Sequence, residues 1–195
     1  MKKMRILGIS GTPRANGNST ILLDYALKPF EQNGWIAERI LLSEKTIEPC
    51  LGCDACAATG ICKIDDDMKE VIEGFRNCDA MIISTPVYYR TPTAQIISVF
   101  QRHYSSREAK LLSGKPGGAI AVGRGTGGGQ AITINIVYTW MLSCGMVCVP
   151  GELNGVTASA DKPGEILNQP KRLTQAEQIG RNVMQLTETI YGNKQ

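Results

Sequence analysis

Short apolar segments alternate with amphipathic segments along the whole chain. Five of these segments are predicted to be strands, and they span residues 4–10, 35–42, 79–85, 116–122 and 146–150. The run at residues 4–10 is rich in branched apolar residues, which is typical of a strand buried on both faces of a parallel sheet. Segments with helical spacing of apolar positions follow at residues 18–32, 65–75, 93–104, 131–142 and 174–190. This alternation predicts an α/β fold with a doubly wound, five-stranded parallel sheet.

The boundaries of several elements carry local signals. Pro29 is expected to kink or end the first helix, and Gly34 to stop it. Thr174 and Glu177 have the spacing of a capping box, so the last helix is expected to begin there. Residues 151–172 are polar and rich in Pro and Gly, which predicts a long loop.

Composition narrows the class of protein. The chain has 195 residues, 43% of them hydrophobic, which suits one core, so we expect a single domain over residues 1–195. A net charge of +3 without a Lys/Arg block argues against nucleic acid or a membrane surface as a partner. The first apolar run, residues 6–9, is too short for an export signal or a membrane span, so we expect a cytoplasmic protein. In that compartment its seven cysteines are expected to be metal ligands or inert thiols and not disulfides.

The loop after the first strand is the first candidate site. Residues 10–20 are rich in hydroxyls and amides and lead directly into the first helix. A strand, a polar loop and a helix N-terminus form an anion site, because free backbone N–H groups and the helix dipole point to one place. The alternative is an ordinary helix cap by Asn18 or Ser19.

The composition of this loop distinguishes among phosphate ligands. It contains neither the Gly/Lys pattern of nucleoside triphosphate loops nor the three-glycine pattern of dinucleotide loops. Neutral donors suit a single phosphate monoester, and those available are Ser10, Thr12, Asn18, Ser19 and Thr20.

Two further loops follow strands of the same sheet. Residues 86–93 are stiff and aromatic, and Tyr88 and Tyr89 would form a flat wall for a planar ring. The alternative is that these tyrosines only cover the edge of the core. Residues 123–130 are rich in glycine, which permits close approach of backbone to a ligand. Three loops at one edge of a doubly wound sheet predict a mononucleotide site.

Four cysteines lie within residues 50–62, at spacings of two, two and five intervening residues; they are Cys50, Cys53, Cys56 and Cys62. So compact a run is typical of an iron–sulfur centre. Structural zinc sites more often join two Cys-x-x-Cys turns across a dozen or more residues. A zinc site, a redox dithiol and inert thiols remain alternatives.

Other reactive side chains are expected to have structural roles. The acidic run Asp65–Asp67 suits the first turn of a helix better than a metal site. His103, the only histidine, has no second candidate ligand nearby in sequence, and no chemical role is assigned to it. Cys78, Cys144 and Cys148 lie in apolar surroundings and are predicted to be core residues.

The motifs in their order resemble those of the iron–sulfur flavoproteins, which belong to the flavodoxin-like, NAD(P)H-dependent FMN reductase superfamily. The resemblance covers about residues 5–150. It is carried by the loop at residues 8–20, Pro49 with the four cysteines, the run from Cys62 to Met68, Thr85-Pro86-Val87-Tyr88 and Gly145-Met146.

The resemblance implies a flavodoxin-like sheet in the strand order 2-1-3-4-5, with residues 43–64 as a cluster-binding insertion after the second strand. It implies FMN held by its phosphate on the first loop and by its ring against residues 86–89 and 123–130. The residues it implies for FMN are Ser10, Thr12, Arg14, Asn16, Asn18, Ser19, Thr20, Pro86, Val87, Tyr88, Tyr89, Gly123, Arg124, Gly127 and Gly128. It also implies a [4Fe-4S] cluster on Cys50, Cys53, Cys56 and Cys62.

The resemblance further implies a homodimer or homotetramer that passes electrons between a ferredoxin-like donor, or NAD(P)H, and a small acceptor. An NAD(P)H-dependent FMN or quinone reductase without a cluster is the alternative, and a flavin-binding redox sensor is a third hypothesis. No pair of residues suggests acid–base catalysis, so no catalytic residue is assigned.

Overall fold

The computed structural model describes residues 3–152 and 154–192. Its strands are β1 (Arg5–Ser10), β2 (Ile36–Leu41), β3 (Ala80–Pro86), β4 (Pro116–Gly123), β5 (Val147–Cys148) and β6 (Val156–Ser159). Its α-helices are α1 (Asn18–Gln32), α2 (Cys56–Thr59), α3 (Met68–Asn77), α4 (Ala94–Arg102), α5 (Gly129–Ser143) and α6 (Pro170–Tyr191). Short 3₁₀ turns span Leu42–Glu44, His103–Ala109 and Glu165–Asn168. No helix within residues 3–152 and 154–192 is long and apolar enough to cross a membrane.

The sheet is parallel, and its strand order β2-β1-β3-β4-β5 confirms the predicted order. β5 pairs with the first two residues of β4, while β6 pairs with the last four, Ile120–Gly123. The two short strands therefore share one edge position beside β4. This is the flavodoxin-like arrangement with its last edge strand divided in two.

Helices cover both faces of the sheet, as a doubly wound fold requires. On one face α1 and α6 enclose an apolar cluster that includes Leu23, Phe30 and Val183. On the other face α3, α4 and α5 enclose a second cluster that includes Phe75 and Val99. Because both faces are covered, the central strands have no polar side to expose, which explains their continuous apolar runs.

Some predicted boundaries differ from the structure, while that of the first helix agrees with it. Residues 151–172 are not one long loop, because β6 and a 3₁₀ turn lie within them. The last helix begins at Pro170 and not at the predicted capping box, since proline suits the first helical position, where its missing N–H costs nothing. The first helix runs from Asn18 to Gln32 as predicted; it does not end at Pro29, whose carbonyl accepts a hydrogen bond from the Asn33 N–H, 3.2 Å away.

The carboxyl ends of four strands meet at one edge of the sheet. Ser10, Pro86, Gly123 and Ser159 are the last residues of β1, β3, β4 and β6. Since these strands are parallel, the loops that leave them lie side by side. This edge carries the candidate site.

Candidate functional site

The loop that follows β1 is fastened to its neighbours through Gly11. The Gly11 N–H donates to the carbonyl of Ser84 at 2.8 Å, and its carbonyl accepts from the Thr93 hydroxyl at 2.7 Å. A Cβ on Gly11 would lie 2.3 Å from the Ile96 side chain, so only glycine allows this close approach. The loop is thereby fixed between β3 and the start of α4.

The N-terminus of α1 has no side-chain cap. Asn18 does not cap it; its amide donates to the Lys162 carbonyl at 2.9 Å and accepts from the Ile166 N–H at 3.3 Å. The first intrahelical bond runs from the Ile21 N–H to the Gly17 carbonyl, so the N–H groups of residues 18–20 have no partner inside the helix. The capping alternative is therefore wrong, and the helix start keeps the free donors that an anion site needs.

A cavity of about 420 Å³ lies against this helix start, within the usual size range of cofactor pockets. Ten of the residues predicted to hold FMN line it: Thr12, Arg14, Asn18, Ser19, Pro86, Val87, Tyr88, Tyr89, Gly123 and Arg124. Thr12 and Ser19 are buried, whereas Arg14 is exposed. The cavity thus joins a polar end at α1 to a wall formed by the second loop.

The other predicted FMN residues lie around this cavity without lining it. Ser10 is fully buried, and its hydroxyl is 2.8 Å from that of Thr20. Asn16 is exposed and has a positive φ of 56°. Gly127 lines an adjacent depression of about 280 Å³, and Gly128 is the N-cap residue of α5. The adjacent depression shares Val87, Gly123 and Arg124 with the larger cavity.

The tyrosine loop closes on itself as a tight turn. Tyr88 and Thr91 exchange two backbone hydrogen bonds of 3.0 Å each. Tyr89 and Arg90, between them, have positive φ angles of 48° and 66°, an uncommon conformation for residues other than glycine. The turn presents the Tyr89 side chain fully to solvent, which contradicts the alternative that this residue covers the core.

The sequence interpretation missed the third side of the cavity. Ala160, Asp161 and Pro163, which follow β6, line it together with the predicted residues. Arg124 Nε lies 2.6 Å from Asp161 Oδ1, so an exposed ion pair joins this segment to the glycine-rich loop. The available signal was the alternation in residues 156–159 followed by turn-forming residues, which is typical of a short strand.

The cysteine segment lies on the surface between β2 and α3. Cys50 and Cys53 are exposed, while Cys56 and Cys62 are partly buried, and all four are free thiols. Four thiolates are the donor set that a [4Fe-4S] cluster takes. Within residues 3–152 and 154–192, however, no three His, Cys, Asp or Glu side chains are grouped closely enough to hold a metal ion. The donor chemistry fits a cluster, and the loop would have to close to gather the thiols around one.

A buried ion pair lies at the base of this segment. Arg102 Nη1 and Nη2 donate to the two carboxylate oxygens of Asp66 at 2.8 and 2.9 Å, and the side chains are 1% and 5% exposed. Burial opposes the charge on Arg102, but Asp66, with a smaller contribution from the Cys62 thiol, raises its pKa. Burial likewise opposes ionisation of Asp66, but the hydrogen bonds from Arg102, Glu48 and Met68 lower its pKa.

The acidic run precedes α3 instead of forming its first turn, and Asp67, the N-cap residue, makes no side-chain cap hydrogen bond. Asp66 Oδ1 accepts a bond from the Met68 N–H at the start of α3. Asp65 is exposed and pairs with Lys69 on the helix surface. Asp67 Oδ2 accepts from the Thr46 N–H at 2.7 Å, so the run also holds the segment that enters the cysteine loop.

The remaining cysteines and the histidine pack into apolar surroundings. Burial raises the pKa of the Cys78 and Cys144 thiols to about 11, and it raises that of Cys148 as well. His103 lies edge-on to Phe75 and Trp140, and burial lowers its pKa. None of these four residues lines the cavity of about 420 Å³.

Comparison with known proteins agrees with this geometry. The family model for NADPH-dependent FMN reductase matches residues 4–160. An iron–sulfur flavoprotein of Methanocaldococcus jannaschii is 34% identical over 191 residues, which cover 96% of this chain and 99% of that protein. An iron–sulfur flavoprotein of Archaeoglobus fulgidus is 34% identical over 192 residues, covering 96% of this chain and 82% of that protein.

A solved structure extends the agreement to the fold. The flavodoxin, WrbA-like protein from Agrobacterium tumefaciens matches with a TM-score of 0.68 at 13% identity, covering 96% of this chain and 99% of that one. Strand order, sequence match and full-length relatives therefore converge: this chain belongs to the NADPH-dependent FMN reductase family of flavin-dependent oxidoreductases, among its iron–sulfur flavoproteins.

Proposed function

We propose that the chain binds FMN in the cavity at the sheet edge and transfers electrons between a ferredoxin-like donor, or NAD(P)H, and a small acceptor. The observation that carries this proposal is the uncapped N-terminus of α1, which opens into a cavity of about 420 Å³. A 15-residue helix directs its free N–H groups and its dipole toward this point, where an anion is stabilised.

The polar end of the cavity suits one phosphate monoester. Thr12 and Ser19 supply neutral donors beside the helix start, and Arg14 adds a single exposed positive charge. A polyphosphate would need more positive charge than this end provides. FMN carries one terminal phosphate, so its phosphate and this end match in charge.

The other end of the cavity suits a planar ring. Pro86, Val87 and Tyr88 form one wall, and Val122 and Gly123 lie at the end of β4. These side chains exclude water from the site and orient the ring, while FMN supplies two-electron and one-electron chemistry when bound. The protein's part is binding, orientation and exclusion of water.

The four cysteine thiols support a cluster as the second cofactor in the proposal. Cys50, Cys53, Cys56 and Cys62 would hold a [4Fe-4S] cluster, which exchanges single electrons. Because the thiols are not gathered in this structure, cluster binding would be coupled to closure of the loop. Four free thiols also favour a reducing compartment, so a cytoplasmic location is part of the proposal.

A homodimer or homotetramer is the assembly we favour. Helix α5 contains no charged side chain, and its Ile132 and Leu142 are 41% and 62% exposed. A helix that is apolar on most sides is usually covered, so this face supports contact between subunits.

A reductase without a cluster is the second candidate function. It is favoured by the separation of the four thiols, two of which are exposed. In that case, flavin chemistry with NAD(P)H would be the whole activity. Steady oxidation of NADPH by iron-free protein, with a quinone as acceptor, would favour this candidate.

The FMN site is tested by titrating flavin-free protein with FMN and with riboflavin, which lacks the phosphate. We expect FMN to bind at least about tenfold more tightly, since a charged hydrogen bond is worth about 1.5–3 kcal/mol. Equal affinity for the two flavins would contradict phosphate binding at α1.

The cluster ligands are tested with matched cysteine variants. Cys53→Ser should abolish bound iron after anaerobic reconstitution, whereas Cys78→Ser, in the core, should retain it. Equal iron content in the two variants would refute the assignment of the ligands.

A further inference from the structure

Arg102 lies directly beneath the cysteine loop, residues 49–63. It is 2% exposed and is the largest of the fully buried side chains among the residues that the structure describes. Its Nη1 donates to the Glu48 carbonyl at 2.8 Å, and its Nη2 donates to the Ile64 carbonyl at 3.4 Å. Glu48 immediately precedes the loop and Ile64 immediately follows it, so one side chain holds both ends.

The two ends are also bonded through the acidic run. Asp66 Oδ2 accepts from the Glu48 N–H at 2.9 Å, and the Asp67 N–H donates to the Thr46 carbonyl at 3.1 Å. Asp66 balances the charge of Arg102 through a bidentate pair. The base of the loop is therefore bonded to two buried side chains, Arg102 and Asp66, while most of the loop above it is exposed.

The guanidinium retains interactions toward the loop. The Cys62 thiol is close enough to interact with it electrostatically. Its Nε is buried and has no hydrogen-bond partner in the described part of the chain.

We infer that Arg102 is a positioning residue that prepares the cysteine loop to receive the cluster. This inference rests on the cluster in the proposed function. By fixing the separation of Glu48 and Ile64, Arg102 removes part of the entropy that the loop would lose when four thiols converge on one group. Its charge also lies beside Cys62, one of the four proposed ligands.

Packing alone does not account for an arginine at this place. A buried ion pair is often replaceable by apolar side chains without loss of stability. Only a planar guanidinium, however, reaches a carboxylate and two carbonyl groups from opposite ends of a loop together. The geometry therefore points to loop position, and not only to core stability, as the role of Arg102.

The test compares Arg102→Gln, Arg102→Lys and the control Arg107→Gln. The Arg107 side chain pairs with Glu108, and among the described residues no hydrogen bond joins it to Glu48 or Ile64. FMN binding confirms that each variant is folded. The first measurement is tryptic cleavage after Lys63 in iron-free protein, which follows opening of the loop. The second measurement is the iron content after reconstitution, and the third is the midpoint potential of the cluster.

We expect cleavage after Lys63 to rise about tenfold or more in Arg102→Gln, because proteolysis tracks the population of the opened segment. Iron affinity should fall about 10- to 100-fold, as for other outer-shell partners of metal ligands. The midpoint potential should shift downward in Arg102→Gln and stay closer to that of the wild type in Arg102→Lys, which keeps the charge. Arg107→Gln should match the wild type in all three.

The inference would be overturned if Arg102→Gln had the same cleavage after Lys63, the same iron affinity and the same midpoint potential as the wild type. If the wild type itself binds no iron, the proposed cluster fails, and the cleavage comparison in iron-free protein still decides whether Arg102 holds the loop. If Arg102→Gln does not fold, Arg102→Lys carries the same comparison, and unchanged cleavage and unchanged iron affinity there would overturn the inference.

Discussion

Replacing Asp66 by Asn should destabilise the protein strongly, because it removes one partner of a buried ion pair. Arg102 and Asp66 are 1% and 5% exposed, and the carboxylate also accepts bonds from the Glu48 and Met68 N–H groups. Leaving a buried guanidinium without its counter-charge costs about 3–5 kcal/mol. The Asn side chain keeps the volume and one acceptor oxygen, so we expect the free energy of unfolding to fall by about 3 kcal/mol at neutral pH.

The loss of stability in Asp66→Asn should depend on pH, because the Arg102–Asp66 pair requires an ionised carboxylate. The pKa of Asp66 is lower in the folded chain than in the unfolded one, so its contribution to stability is complete above the unfolded value of about 4. That contribution is lost as the pH falls through the lower, folded value. The difference between wild type and Asp66→Asn should therefore be largest at neutral pH and should shrink below about pH 4.

Urea unfolding of iron-free, flavin-free protein, followed by circular dichroism at several pH values, measures this difference. Asp65→Asn is the matched control, since the neighbouring Asp65 side chain is 91% exposed and pairs with Lys69 on the helix surface. The free energy of unfolding of Asp65→Asn should equal that of the wild type. A free energy of unfolding for Asp66→Asn equal to that of Asp65→Asn, or a difference independent of pH, would refute the electrostatic account of the pair.

Three other predictions follow from single contacts. A Cβ at Gly17 would lie 2.7 Å from Thr12 Oγ1, so Gly17→Ala should raise the FMN dissociation constant about tenfold, the worth of one charged hydrogen bond; unchanged affinity in a fluorescence titration would contradict it. The Tyr138 hydroxyl donates to the Val149 carbonyl at 2.6 Å, so Tyr138→Phe should lower the free energy of unfolding by about 1–2 kcal/mol, and a neutral result by denaturant titration would count against this bond. In iron-free native protein, Cys50 and Cys53 should react with a thiol reagent well before Cys78, whose pKa burial raises to about 11; mass spectrometry that finds Cys78 modified first would disprove this order.

The sheet could be predicted because its strands are uniform in character. β1, β3 and β4 are buried along almost their whole lengths, so their apolar runs stand out against the polar segments between them. Parallel strands bring their carboxyl ends to one edge, which placed the loops after β1, β3 and β4 together without any knowledge of contacts.

The parts that could not be predicted depend on tertiary pairing. β6 is only four residues long, so its alternation is a weak signal, and its pairing with β4 is what makes it a strand. Its misassignment hid Asp161 and Pro163 from the candidate site. Likewise, Arg102 and Asp66 are 36 positions apart, and each looks like an ordinary helix-end residue until the fold brings them together.

The size of the oligomer, the electron donor and the electron acceptor depend on surfaces that contact other molecules, so the sequence of one chain does not predict them. The neutral outer face of α5 and the exposed Tyr89 are compatible with subunit contact beside the cavity. Sedimentation of FMN-loaded protein should give a dimer or tetramer, and a monomer at micromolar concentration would contradict that assembly.

The cofactor content of anaerobically purified protein distinguishes a protein with two redox centres from one with flavin alone. Flavin, iron and acid-labile sulfide are measured per chain on the same sample, before and after reconstitution with iron and sulfide. We expect about one FMN per chain, together with about four irons and four sulfides held by the thiols at positions 50, 53, 56 and 62. Protein that binds FMN fully but takes up no iron after reconstitution would contradict the two-centre account and leave the cluster-free reductase in its place.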